Sequence, residues 1–429
     1  VSKPSIASKK QMRILYDLSV MGAARVATKG RTGVFRVVDA VARYLLERSD
    51  IEVSWTAYGN CHHLKDVIEL CKDDPSLSRP VVALLRTRSV IDFLSSPIEY
   101  LASTHFYKVV HPALPVIKRW KQHATFNESL ARGFDIVHNP FTNAIPKIDE
   151  SSSRPVRFVT AYDLIPILYP EFFITGIAEL QTNTFQSLCF EDWVLCISES
   201  TRTDLLAYRP DLDPEKIRVT PLAAAEHFTR CHDRHRISEV RSRLGIPIDA
   251  SYFLSVCTLE PRKNLRHLIA VFKQMLTQLD EKTYLVLVGA KGWHVDELLR
   301  EVTGETTGRV IVTGYVSDED LAPLYSDAIA FVYPTLYEGF GLPPLEAMQC
   351  GTPVIASHNS SLPEVVGDSG ILIDAKSREE LASAILRLYQ DDALRQSLSH
   401  LGLQRAKKFT WERCGELTVQ AYHDALQTR

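Results

Sequence analysis

No cysteine of this 429-residue chain stands in a C-x-x-C pair or at a zinc-binding spacing, although eight are present. That argues against a dithiol redox motif and a structural zinc site, and thiols scattered through a large chain read as reduced core residues of a cytosolic protein. Long apolar runs are missing too. None approaches the roughly 20 residues that span a bilayer, and the most apolar N-terminal stretch, Ile14 to Ala24, is broken by Asp17 and does not read as a signal-peptide core. There is no basic excess, since 49 Lys and Arg stand against 52 Asp and Glu for a net charge of -3; a main role in binding a phosphate backbone is thereby excluded. Short-period repeats and low-complexity segments are absent as well. What is there is ordinary for a packed enzyme: 45% hydrophobic and 24% charged residues, in a chain longer than one core usually organises. Two lobes with a cleft are expected.

Short apolar runs alternate with amphipathic segments in two successive series, the pattern of β-α units around parallel sheets. The first opens at Arg13–Leu18, passes Gly30-Arg31-Thr32-Gly33, and enters a helix with Val37, Val38, Val41 and Leu45 on one face. Strands are then expected at 135–137, 157–160 and 193–197. From Asp204 to Arg243 the chain turns charged, with Pro210, Pro214 and Pro221, which reads as a connection between lobes. The second series has strands at 252–256, 284–288, 310–313, 328–333, 354–356 and 371–373, and a last amphipathic helix covers about 410–426. The expected fold class is α/β: two Rossmann-like doubly wound lobes with ligands at the carboxyl ends of the strands. The divisions are 1–225 for the first lobe, 226–407 for the second and 408–429 for the final helix.

The richest stretch runs from Tyr333 to Ala356 and contains Glu338-Gly339-Phe340-Gly341-Leu342-Pro343-Pro344-Leu345-Glu346, then Gly351-Thr352-Pro353. The glycines permit close backbone approach, and the prolines suit the first turn of a helix, where a missing N–H costs little. Free N–H groups of Gly339 to Leu342 should then face the cleft as a site for sugar hydroxyls and phosphate oxygens. Two glutamates seven residues apart are weak evidence by themselves, but this pair brackets a Gly-Phe-Gly-Leu-Pro loop. The segment resembles the Glu-seven-residues-Glu signature of the retaining glycosyltransferases of family 4, group 1, which include glycogen synthase-like and cell-surface polysaccharide enzymes. The resemblance implies a GT-B fold with a central cleft.

A second constellation, Glu260-Pro261-Arg262-Lys263-Asn264, lies between the first strand and helix of the second lobe. Asn264 is suited to cap that helix, with Arg262 and Lys263 beside its positive end. Two solvated cations beside a cap would be the plain reading; the resemblance makes them the clamp of the donor pyrophosphate. Many members have Gly-Arg where this chain has Val256-Cys257, so Arg262 and Lys263 must carry most of that charge. Gly289-Ala290-Lys291-Gly292-Trp293 and Gly314-Tyr315-Val316 are βα turns similar to segments flanking the nucleotide, with Tyr315 and Val316 expected to touch the base through backbone. Glu364, in Ser360–Glu364, reads equally as solvated or functional. In the first lobe Arg31-Thr32-Gly33 resembles the glycine loop facing the donor sugar. Tyr162-Asp163-Leu164-Ile165-Pro166 is similar to a His-Asp-Leu-x-Pro pattern, with Tyr162 in the histidine's place. Val116–His123 mixes bases and aromatics, reading first as a solvated helix face and second as a contact for anionic headgroups.

The resemblance implies transfer of a hexosyl group from a UDP- or GDP-linked sugar to a carbohydrate or lipid-linked hydroxyl acceptor, with retention, in polysaccharide or glycolipid assembly. The nucleotide sugar is a substrate; no cofactor and no metal are expected, and no D-x-D follows a strand in a donor position. Glu338 and Asp163 are the catalytic candidates; Arg262, Lys263, Glu346, Gly339, Phe340, Gly341, Leu342, Tyr315 and Val316 would hold the donor; Gly33 and Tyr162 lie on the acceptor or sugar side. The expected location is cytoplasmic, with peripheral contact at the inner membrane face. A sugar phosphorylase or epimerase on the same fold, or a non-catalytic nucleotide-sugar-binding subunit, are the alternatives.

Overall fold

The computed structural model describes residues 11–26, 33–57, 61–82, 128–141, 154–173, 176–292 and 308–429. Strands β1 (Met12–Asp17), β2 (Ile51–Thr56), β3 (Ile136–Asn139), β4 (Val156–Ala161), β5 (Trp193–Cys196) and β6 (Ile217–Val219) form one sheet in the order β2-β1-β3-β4-β5-β6. Strands β7 (Ser251–Val256), β8 (Thr283–Val288), β9 (Val310–Gly314), β10 (Ala330–Tyr333), β11 (Val354–Ser357) and β12 (Ile371–Ile373) form the second, in the order β12-β11-β10-β7-β8-β9. Every pairing is parallel, as in β7 on β8 from Ser251↔Thr283 to Val256↔Val288. Parallel sheets are covered on both faces, which is why β10 (Ala-Phe-Val-Tyr) and β11 (Val-Ile-Ala-Ser) are buried along their whole length. In each sheet the order reverses direction beside the first strand, and the carboxyl ends there open a crevice.

Two strands, β2 and β6, were not among those expected. β6 corrects the reading of 204–243 as a connection: the Glu199–Tyr208 helix and β6 complete the first sheet within it, and the Arg234–Arg243 helix already packs on the second lobe, where Arg241 reaches Asp327 at 2.7 Å. A β-strand of three residues is too short to show a period, and its charged surroundings hid it.

The last helix, Trp411–Gln427, capped by the Thr410 hydroxyl on the Arg413 N–H, lies against the first lobe. Tyr422 is fully buried, edge-on to Phe158 at 4.8 Å, and its hydroxyl sits 2.6 Å from His138 Nδ1. The other ring nitrogen of His138 meets Thr160 Oγ1 at 2.9 Å, and burial lowers the imidazole to about 3, so it is neutral. Gly415 brings this helix onto the Gly33–Glu47 helix, since a β-carbon there would stand 2.3 Å from Tyr44 Cγ.

Candidate active site

The site is built where β7 and β10 end. After β7 the chain makes a short turn, Pro261–Lys263, ahead of the Leu265–Gln274 helix. After β10 it runs through Glu338 to Gly341, left-handed at φ 114, which opens the Leu342–Gln349 helix with the prolines in its first turn. These turns are stitched together: Leu336 N–H donates to the Arg262 carbonyl at 2.9 Å, and Arg262 Nη1 to the Tyr337 carbonyl at 2.6 Å.

Glu338 lies at the centre, buried. Its Oε1 accepts from Lys263 Nζ (2.7 Å), Thr335 Oγ1 (2.8 Å) and Tyr333 OH (3.0 Å), and Oε2 pairs with Arg262 Nη1 at 2.8 Å. Burial would raise the carboxyl, but Arg262 and Lys263 overcome it and hold Glu338 at about 2. Arg262 Nη2 also reaches Glu260 at 2.6 Å. Two cations and two carboxylates thus balance formally, so Arg262 and Lys263 are not the solvated pair of the plain reading. Each still has something to give. Arg262 Nε is buried without a partner, and Lys263 spends two of an ammonium's three donors, on Glu338 and Tyr333. An orphaned guanidinium N–H at a cleft suits an anionic ligand.

The loop above the cluster is held by its carbonyls. Ser361 Oγ donates to the Phe340 carbonyl at 2.6 Å and lies 3.0 Å from that of Glu338, and Ser198 Oγ of the first lobe donates to that of Gly339 at 2.7 Å. The Glu338 N–H donates to Ser360 Oγ at 3.0 Å, whereas those of Gly339, Phe340 and Gly341 have no acceptor among the described residues. Across from the loop stands Tyr162-Asp163: a β-carbon at Gly339 would lie 2.6 Å from the Tyr162 carbonyl and 2.9 Å from Asp163 Cβ. Only glycine fits this approach. Asp163 Oδ1 accepts from the Ile165 N–H at 3.0 Å, capping the turn, and burial raises its carboxyl. Gly33 meets the same loop farther along, where a β-carbon on it would stand 3.1 Å from Leu342 Cδ1. Arg31, Thr32, Trp293 and Val116–His123 lie outside the described residues.

Glu346, buried in the Leu342–Gln349 helix, is held by Arg36 Nη1 at 2.9 Å and Tyr325 OH at 3.1 Å. Tyr315 is exposed after β9, and Val316 turns inward. Cys257 ends β7 as a buried thiol that burial pushes up to about 12, inert and uncharged. Gly289 crosses the carbonyl of Cys257 so closely that a β-carbon would stand 1.7 Å from it, which keeps the turns after β7 and β8 together.

Two expectations are corrected. Asn264 does not cap its helix: its backbone is left-handed at φ 57 and its amide donates to the carbonyls of Pro334 and Ala375, at 3.0 and 2.8 Å. Glu364 is not a free, solvated side chain; it accepts from the N–H groups of Glu199 and Ser200, at 2.8 and 2.7 Å, capping a first-lobe helix. The Tyr162 hydroxyl oxygen is buried, without a partner among the described residues. Sequence reasoning also missed Tyr333, Thr335, Ser198 and Arg36. Ser198 had a signal, as a serine opening Ser-Glu-Ser-Thr directly after a strand. Arg36 had none, because its partner is 310 residues away.

The family described as "Glycosyl transferases group 1" matches residues 237–405, which contain this cluster. O-antigen chain mannosyltransferase B of Escherichia coli is 45% identical over 172 residues, 40% of this chain and 45% of that protein. The serotype-specific mannosyltransferase WbdA of Escherichia coli is 28% identical over 272 residues, 62% of this chain and 33% of that one. The chain spans less than half the length of either relative. Among solved structures, HepE of Anabaena in complex with UDP and glucose superposes with TM-score 0.63 at 16% identity, covering 96% of this chain and 100% of that one. WaaG, a glycosyltransferase involved in lipopolysaccharide biosynthesis, superposes with TM-score 0.60 at 16% identity over 94% and 97% of the two chains. The chain thus has the two-lobed GT-B fold, and residues 237–405 of its second lobe match the glycosyl transferases group 1 family.

Proposed function

We propose that the chain transfers a hexosyl group, with retention, from a nucleoside-diphosphate sugar to a hydroxyl of a growing cell-surface polysaccharide or glycolipid. The observation that carries this reading is Glu338 held between Arg262 and Lys263, under a loop with free N–H groups that faces Asp163. A mannosyl donor, GDP-mannose, is favoured over a UDP-hexose by the likeness to the two mannosyltransferases. The departing diphosphate lies toward Arg262 Nε and the spare Lys263 donor, and the loop N–H groups help to hold it. The acceptor oxygen bonds to the anomeric carbon from the side the phosphate leaves; the C–O bond to phosphate breaks, and the acceptor proton passes to the departing phosphate oxygen. Glu338 stabilises positive charge near the anomeric centre, Asp163 orients the acceptor or sugar, and Glu346 receives the ribose hydroxyls. The cations serve the diphosphate without a metal, and full activity in EDTA is expected. The chain would work in the cytoplasm, beside the membrane that carries a lipid-linked acceptor.

The test offers GDP-mannose and UDP-glucose with lipid-linked oligosaccharides and, separately, orthophosphate, and assigns the product anomer by NMR. Transfer from GDP-mannose to the oligosaccharide, with the anomeric configuration kept, is the expected result. An inverted product, or turnover with orthophosphate alone, contradicts it.

A further inference from the structure

Arg36 stands in the first turns of the Gly33–Glu47 helix of the first lobe, yet its guanidinium is spent on the second. Nη1 reaches Glu346 Oε1 at 2.9 Å, and Nη2 reaches Asp318 Oδ2 at 2.5 Å. Its charge also lies 5.8 Å from the ring centre of Phe228, in the chain that links the lobes. The two carboxylates belong to different parts of the donor side. Glu346 is buried inside a helix, with its other oxygen taking the Tyr325 hydroxyl at 3.1 Å. Asp318 opens the helix after Tyr315-Val316 and is 41% exposed, so it can move with that loop unless something fixes it.

A buried carboxylate needs compensation, and burial already pushes Glu346 above its ordinary range despite the arginine. A carboxylate has about four lone-pair positions. Arg36 and Tyr325 take two, which leaves room for a vicinal diol. The planar fork of an arginine is suited to bridging two carboxylates in a fixed geometry; an ammonium is not.

We propose that Arg36 is a donor-positioning residue supplied by the first lobe: it orients the Glu346 carboxylate for the ribose of a nucleoside diphosphate and ties it to the base-side loop at Asp318. The nucleotide site is then finished only when the two lobes touch. This rests on the reading of Glu346 as the ribose acceptor.

The test measures dissociation constants of UDP, GDP and their 2′,3′-dideoxy forms for the wild type, Arg36→Gln, Arg36→Lys and Glu346→Gln, using the base that binds tighter. In the wild type the ribose form should bind at least roughly tenfold tighter than the dideoxy form, the worth of a hydrogen bond to a charged group. Glu346→Gln should collapse that preference, and Arg36→Gln should reduce it severalfold, with Arg36→Lys in between. An arginine that merely joins the lobes would weaken both nucleotides equally and leave the preference intact; that outcome, or tighter binding by Arg36→Gln, overturns the proposal. If Glu346→Gln keeps the full preference, the ribose reading itself falls, and the assignment of Arg36 with it.

Discussion

At the residue scale the second lobe's charge cluster decides what each substitution does. Lys263 is buried and bonded to Glu338 and Tyr333, so on the proposed reading Lys263→Ala would remove a donor to the diphosphate and leave a carboxylate less compensated. A hydrogen bond to a charged group contributes about 1.5 to 3 kcal/mol, so the dissociation constant for GDP-mannose should rise roughly 10- to 150-fold. An unchanged value would show that the diphosphate lies elsewhere. Asp163 poses a sharper question, because it caps a turn and faces the cleft. Burial raises its carboxyl above the usual 3.8; the folded state holds this proton better than the unfolded one. The stability it contributes is therefore full below 3.8 and is lost as the pH rises through the folded value. Asp163→Asn keeps an oxygen for the Ile165 N–H and removes the titration, so it should melt higher than the wild type at neutral pH, the advantage shrinking as the pH falls toward 3.8. Its kcat should nevertheless drop at least about tenfold. Normal kcat with a lowered melting temperature would leave Asp163 only as a turn cap.

At the scale of elements, what could be read from the sequence follows burial. Runs such as Phe253-Leu254-Ser255-Val256 and Leu285-Val286-Leu287-Val288 are legible because a parallel strand covered on both faces must be apolar throughout. β2 alternates Ile51, Val53 and Trp55 with polar Glu52 and Ser54, and no glycine-rich turn marked it out. The same logic divides the site. Glu338 and Glu346 announce themselves through local spacing, whereas partners such as Tyr325 and Arg36, which hold Glu346, sit on other helices that only the folded chain brings near. Asn264 was misread because its preference for helix starts is real, but the amide finds two carbonyls instead. The final helix carries the element-scale prediction. Alanine usually gains about 1 kcal/mol over glycine inside a helix, yet Gly415→Ala would press a methyl into the Tyr44 ring. Overpacking of this kind costs about 1 to 3 kcal/mol, and a lower melting temperature is expected. A variant as stable as the wild type would mean that the two helices are less closely packed.

For the whole molecule, the contacts between lobes concentrate at the Glu338–Gly341 loop. Ser198 holds the Gly339 carbonyl, Glu364 caps the helix that Ser198 begins, Tyr337 donates to Asp204 at 2.7 Å, and Arg36 holds Glu346. The lobes therefore meet through groups around the Glu338–Gly341 loop, an arrangement that on the proposed reading would exclude water while a sugar is transferred. On the proposed reading, Glu338 acts on charge developing in the transition state. Wild type and Glu338→Gln are therefore compared in the binding of GDP-mannose and in its turnover with a lipid-linked acceptor. Removing one negative charge beside Arg262 and Lys263 should leave donor binding unchanged or tighter, while kcat falls roughly 100-fold or more. Full kcat in the glutamine variant would contradict the account.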